Sequence, residues 1–329
     1  MEATLSHYFG YDTFRPGQKE IITKIMEHRN VLGVLPTGGG KSICYQVPGL
    51  MLGGTTIVIS PLISLMKDQV DQLKAMGIKA TYLNSSLSKK QQKDIESDLL
   101  SGDIQFLYVA PERFDNKYFL NLLSRINIHL IAFDEAHCIS KWGHDFRPSY
   151  QSVIHKVFAL PQDFTIVALT ATATAEVQQD IMDKLNIDKY DEVKTSTKRR
   201  NLIFKVNPTY QRQKFVIDYV QKHKEQAGII YCSTRKQVEE LQEALDSINV
   251  KAAIYHAGLS NKEREAAQND FVYDRIKVVI ATNAFGMGID KSNVRYVIHY
   301  NMPGDLESYY QEAGRAGRDG LDSECILLF

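Results

Sequence analysis

The chain has 329 residues, of which 44% are hydrophobic and 24% charged, so it is neither disordered nor fibrous and is long enough for two domains with separate cores. Thirty-nine Lys and Arg balance 39 Asp and Glu, and neither half carries a marked basic excess; any nucleic-acid site must be a local groove. Cys44, Cys138, Cys232 and Cys325 are scattered and form no CxxC pair, which points to reduced thiols in a cytosolic-type compartment and leaves no cysteines for a zinc module. The first residues lack a signal pattern, and apolar stretches are too short to span a membrane.

Short apolar runs alternate with amphipathic stretches throughout. Strands are predicted at residues 31–35, 56–60, 79–83, 104–110, 129–133 and 165–169, with helices between them. Ser88 with Gln91 predicts a capping box, with Gly102 closing that helix, and Thr174 predicts the cap of a helix over 175–185. Residues 188–201 are polar and end in Lys198-Arg199-Arg200; they read as an interdomain linker, or else as a long surface loop. The pattern restarts with strands at 202–206, 228–232, 251–255, 277–281, 294–300 and 325–329. Continuous apolar strands between helices predict parallel sheets covered on both faces: two doubly wound α/β domains in tandem, 1–197 and 198–329.

Three motifs carry chemistry. Leu35-Pro36-Thr37-Gly38-Gly39-Gly40-Lys41-Ser42 lies between a strand and a helix. Glycines let backbone N–H groups face phosphate oxygens, Lys41 reaches the β- and γ-phosphates, and Ser42 can hold Mg²⁺. Leu35 stands where the simple pattern has its first glycine. A second apolar strand runs into Asp134-Glu135-Ala136-His137, where Asp134 would hold Mg²⁺ and Glu135 would activate a water. Far downstream, Gln311, Arg315 and Arg318 are spaced i, i+4, i+7, so a helix would place them on one face, aimed at a transferring phosphoryl group. ATP would then need both domains.

These motifs together resemble the superfamily 2 helicases. The finer text is similar to the RecQ DNA helicases: Phe14-Arg15-Pro16-Gly17-Gln18, residues 60–69, residues 136–148, Leu169-Thr170-Ala171-Thr172-Ala173, Gly228-Ile229-Ile230-Tyr231-Cys232, residues 284–289 and residues 308–320, all in the family's order. The resemblance implies two RecA-like domains, ATP and Mg²⁺ as cofactors, 3′→5′ translocation, unwinding of forked DNA in repair and recombination, and a cytoplasmic, nucleoid or nuclear setting. It also implies adenine held between Tyr11 and Arg15 and read by Gln18, which on spacing alone is a polar residue in a helix's first turn. The chain departs from the family at Lys198-Arg199-Arg200-Asn201, where Asp-Arg-Pro-Asn is common. RecQ proteins usually continue into a zinc module and winged helix, so strong single-strand-stimulated hydrolysis with weak unwinding is expected.

Trp142, the only tryptophan, sits among polar residues and a glycine. Trp142 and Phe146 can stack on unpaired bases while Arg147 meets phosphate, as the RecQ resemblance implies for this aromatic-rich loop; the alternative is a Trp plugging the core edge. Backbone contacts are expected where loops leave strand ends, at Ser60, Arg113, Thr170, Arg235, His256 and Thr282. Arg113 could equally pair with a carboxylate of its own domain. The expected function is an ATP-dependent DNA helicase. The competing readings are an RNA helicase and a nucleic-acid-dependent ATPase that clamps strands without efficient unwinding.

Overall fold

A computed structural model describes residues 1–61, 63–83, 87–143, 145–196, 198–285 and 291–329. The chain divides into two compact units, Met1–Thr197 and Lys198–Phe329.

In the first unit the strands are β1 (Val31–Val34), β2 (Thr55–Ile59), β3 (Ala80–Leu83), β4 (Phe106–Val109), β5 (Ile128–Phe133), β6 (Thr165–Thr170) and β7 (Glu192–Lys194). The helices are α1 (Glu2–Phe9), α2 (Gln18–Met26), α3 (Ile43–Leu52), α4 (Ile63–Ala75), α5 (Lys89–Leu100), α6 (Lys117–Leu123), α7 (Pro148–Phe158) and α8 (Ala175–Leu185). The strands lie in the order β3-β4-β2-β5-β6-β1-β7, every pair parallel. Period-2 alternation sends successive apolar residues to opposite faces. Thus Ile57, Ile59, Ile131 and Phe133 join one buried cluster, while Val58, Leu130 and Ala132 join the other. Burial on both faces is why the strands read as unbroken apolar runs.

The second unit contains β8 (Leu202–Asn207), β9 (Ala227–Tyr231), β10 (Ala252–Tyr255), β11 (Val278–Ala281), β12 (Val294–His299) and β13 (Ser323–Leu328), with α9 (Arg212–Lys222), α10 (Arg235–Asp246), α11 (Asn261–Val272) and α12 (Leu306–Ala313). Its sheet order is β10-β11-β9-β12-β13-β8, again wholly parallel. The same alternation sorts Val279 and Ala281 from Val278 and Ile280.

The strand predictions agree closely with the structure. The capping box of Ser88 and Gln91 forms, and Thr174 caps α8. The polar stretch at 188–201 is not all linker: residues 192–194 form β7, which pairs with β1 and closes the sheet edge. Asp191 explains it. Its buried carboxylate takes Lys24 Nζ at 3.1 Å and Arg29, tying this segment to α2 through charge rather than apolar pattern.

Candidate functional site

A parallel sheet presents all its strand C-termini on one edge, and loops there carry ligand chemistry. In the first unit β1 leads into the glycine loop, β5 into Asp134, and β6, which lies between them, ends at Thr170. Gly38 and Gly40 have φ of 78° and 73°, the left-handed region that lets consecutive N–H groups turn to one side. Helix α3 starts directly after Ser42. Lys41 Nζ lies 3.0 Å from Glu135 Oε1, so loop and carboxylate motif meet although 94 residues separate them. The Glu135 backbone is left-handed at φ 48°, sparsely populated for a non-glycine residue, and its N–H donates to Asp134 Oδ1 at 3.0 Å. Burial, and then the Glu135 carboxylate, push the Asp134 carboxyl above the usual carboxylate range, while Lys41 pulls the other way.

His137 extends this network. The Thr170 hydroxyl donates to Thr172 O at 3.0 Å, and His137 Nδ1 lies 3.0 Å from the same hydroxyl oxygen and 3.4 Å from Glu135 Oε2. Thr170, expected at a DNA phosphate, thus lies in a buried polar chain beside Glu135. His137, Cys138 and Asp145 offer ligand atoms within 4.8 Å of one another. Each has a protein partner, however: Cys138 Sγ donates to Asp145, whose carboxylate also accepts from Arg147 Nε and Nη2.

Arg15 and Gln18 brace the glycine loop from α2 and its lead-in. Gln18 Nε2 donates to Gly40 O at 2.9 Å and Gly39 O at 3.2 Å, Arg15 Nη1 donates to Gly38 O, and Arg15 N–H donates to Gln18 Oε1. Tyr11, 53% exposed, stands open nearby in sequence. Past the carboxylates, Trp142 is 68% exposed, which removes the core-plug alternative. Its loop closes back on the carboxylate motif: Arg147 N–H donates to Cys138 O, and a Cβ on Gly143 would fall 2.4 Å from His137 O. Phe146 is partly exposed, His144 lies outside the described residues, and Arg147 Nη1 donates to Pro61 O at 3.0 Å. Ser60 is buried at the end of β2. Arg113 pairs with the Gln92 amide at 2.9 Å rather than with a carboxylate.

In the second unit Gln311 lies on α12, but that helix ends at Ala313. Arg315 and Arg318 follow in consecutive turns, so the single helical face expected from their spacing does not form; Gly314 caps the helix in right-handed geometry, and Gly317 (φ 57°) then turns the chain away. Arg315 is buried and Arg318 half-buried. Glu312 meets His299 Nε2 at 2.8 Å, and the buried Tyr231 hydroxyl donates to Phe285 O at 3.0 Å. Burial pushes that hydroxyl up to about 12, with Arg315 pulling it down through charge and a hydrogen bond. Residues 286–289 of the expected motif lie outside the described residues. Arg235, His256 and Thr282 gather past the ends of β9, β10 and β11: Arg235 Nη1 lies 3.0 Å from where a Gly258 Cβ would be, Gly258 N–H donates to His256 Nδ1, and Thr282 N–H donates to Tyr255 O. His256 is 4% exposed.

Residues 15–181 match the family model described as DEAD/DEAH box helicase, and residues 211–320 match the helicase conserved C-terminal domain. The chain belongs to the DEAD/DEAH box helicases. Over its full length it is 51% identical to the ATP-dependent DNA helicase RecQ of Bacillus subtilis, and over 99% of its length 47% identical to that of Haemophilus influenzae. These matches mark it as a RecQ-type superfamily 2 helicase core, which spans 56% and 53% of those two relatives' own lengths. The fold is shared with the Mycobacterium smegmatis helicase Lhr solved with ssDNA and AMP-PNP, at a TM-score of 0.78 and 19% identity over 99% of this chain and 47% of that one. The RecA-like architecture of both units stands on that likeness.

A DEAD/DEAH box helicase implies ATP, and the donor set of the first unit fits a nucleotide with a hard divalent cation. Two carboxylates face one ammonium, and the left-handed glycines precede a helix N-terminus. No helix among the described residues is long and apolar enough to cross a membrane. Two contributors escaped the sequence reading. Arg199 and Tyr150 act on backbone carbonyls across the fold, and no spacing pattern announces such a bond.

Proposed function

We propose that this chain is the motor of an ATP-dependent DNA helicase that moves 3′→5′ along single-stranded DNA and opens forked duplexes. The observation that carries the reading is the meeting of Lys41 and Glu135 at 3.0 Å on one sheet edge, beside the buried Asp134. In this reading Thr37, Gly38, Gly39, Gly40 and Lys41 hold the phosphates, and Tyr11, Arg15 and Gln18 hold the adenine. Ser42 and Asp134 would hold Mg²⁺, which would supply charge neutralisation at the phosphates. Glu135 orients the attacking water and accepts its proton. Gln311, Arg315 and Arg318 stabilise charge on the transferring phosphoryl group. Turnover therefore needs residues from both units.

Trp142 and Phe146 stack on bases, and Arg235 and Thr282 meet the backbone. Ser60, Thr170 and His256 are buried, and Arg113 and Arg147 are held by protein partners, so a role at DNA requires the first three to become exposed and the two arginines to leave those partners. The protein acts in the cytoplasm, nucleoid or nucleus.

The test is the ATPase rate with single-stranded DNA, duplex DNA, RNA and no polymer. Single-stranded DNA is expected to stimulate most; a rate indifferent to polymer, or raised by RNA alone, overturns the reading. Beside it, Glu135→Gln should bind ATP normally while kcat falls at least about 100-fold, the scale of a lost general base.

A further inference from the structure

We propose that Arg199, seconded by Asn201, is a positioning residue for ATP hydrolysis: it sets the turn that presents Arg315 and Arg318. The proposal deepens the reading above and rests on it.

Helix α12 stops at Ala313, and the backbone from there to β13 must satisfy its carbonyls without helical partners. Arg199 supplies the donors. Its Nη1 donates to Gly314 O at 2.8 Å, and its Nη2 donates to Ala316 O at 2.8 Å and to Gly317 O. One planar guanidinium thus grips three carbonyls that bracket Arg315 and directly precede Arg318. Asn201 adds two bonds, from Nδ2 to Gly317 O at 2.8 Å and to Leu321 O at 2.9 Å. The fit is close: a Cβ on Gly317 would lie 2.5 Å from Asn201 Nδ2. The geometry follows from topology. β8 pairs with β13, Leu202 opposite Ser323, so the residues entering β8 lie beside the turn that enters β13.

The chemistry favours this use of arginine. A cation at a helix C-terminus meets the negative end of the helix dipole, and the rigid fork of a guanidinium spreads its donors over separate nitrogens in one plane, whereas an ammonium offers its three from a single point. Arg315 and Arg318 have long side chains whose charges matter only where they are placed. A shift of about 1 Å in a catalytic group can cost about 100-fold in rate.

The experiment compares wild type with Arg199→Ala, Arg199→Lys and Asn201→Ala in steady-state ATPase with saturating single-stranded DNA, beside thermal melting and nucleotide affinity. Arg199→Ala is expected to lower kcat by about 10- to 100-fold with KM for ATP within about twofold, since the phosphate-holding residues lie in the other unit. Arg199→Lys should resemble it, and Asn201→Ala should lose less. Guanidinium ion at tens of millimolar should restore part of the Arg199→Ala rate and none of an Arg318→Ala rate. If Arg199→Ala melts too low to assay, the decision passes to Asn201→Ala, whose kcat must fall at unchanged KM. A lowered melting temperature with kcat intact makes these residues merely structural and overturns the proposal, as does full activity in Arg199→Lys. Absence of turnover in wild type indicts the ATPase reading itself; turnover that survives Arg199→Ala indicts Arg199.

Discussion

The Tyr150 hydroxyl shows how much of this site rests on single atoms. It is fully buried at the start of α7, lying 3.0 Å from Ile59 O and 2.9 Å from Asp134 O. Its one proton therefore serves two carbonyls at the edge where β2 and β5 part, one belonging to the carboxylate motif itself. Tyr150→Phe keeps the ring and deletes only that donor. A buried carbonyl left without its donor costs about 1–3 kcal/mol. The expectation is a lower melting temperature of that order together with a reduced kcat, because the Asp134–Glu135 peptide loses a tether beside its left-handed bend. An unchanged kcat in a protein that melts early would confine Tyr150 to stability. Residues of this kind explain the limit of sequence reading. Lys41, Ser42, Asp134 and Glu135 stand out in the text because the chemistry proposed for them needs fixed residue types at fixed offsets from a strand. Tyr150 and Arg199 bond to main-chain oxygens, which every residue carries, so their partners leave no trace in the text.

At the scale of elements, legibility followed burial. Strands buried on both faces announced themselves as apolar runs, and β2 and β5 were found to within one residue at either end. β7 is three residues long with only Val193 buried, and charge at Asp191 rather than hydrophobicity fixes it. The arginine segment failed for another reason. Spacing at i, i+4, i+7 assumes that the helix continues, but Gly314 and Gly317 intervene and Arg199 takes up the carbonyls that further helix would have used. Helix starts were read well because caps are local. The Thr174 side chain accepts from Val177 N–H at 3.3 Å, as the cap over α8 requires. Thr174→Ala should therefore cost about 1 kcal/mol, seen in chemical denaturation as a lower midpoint at unchanged slope. No change would mean that packing of Val177, Ile181 and Leu185 alone holds the helix.

At the scale of the whole molecule, the two units are separate in their cores as well as in their sheets. One pair of buried clusters flanks the first sheet, with a smaller one around Leu5 and Ile22, and another pair flanks the second; among the described residues no cluster mixes the two sides of position 197. Each sheet is complete within its own unit. Stability should therefore be divisible. The proposed chemistry should not be, since Lys41, Asp134 and Glu135 belong to one unit and Gln311, Arg315 and Arg318 to the other. Residues 1–197 expressed alone should fold and bind ATP, because every proposed adenine and phosphate contact lies within them. They should not hydrolyse it at a rate comparable with the full chain. A ligand that binds only the folded form stabilises it by about 2.7 kcal/mol at 100 times its Kd, so a non-hydrolysable ATP analogue should raise the melting temperature of the isolated first unit and leave that of residues 198–329 unmoved. Hydrolysis by the first unit at the full chain's rate would remove Arg315 and Arg318 from the mechanism. A thermal shift in the second unit alone would move the nucleotide away from Lys41.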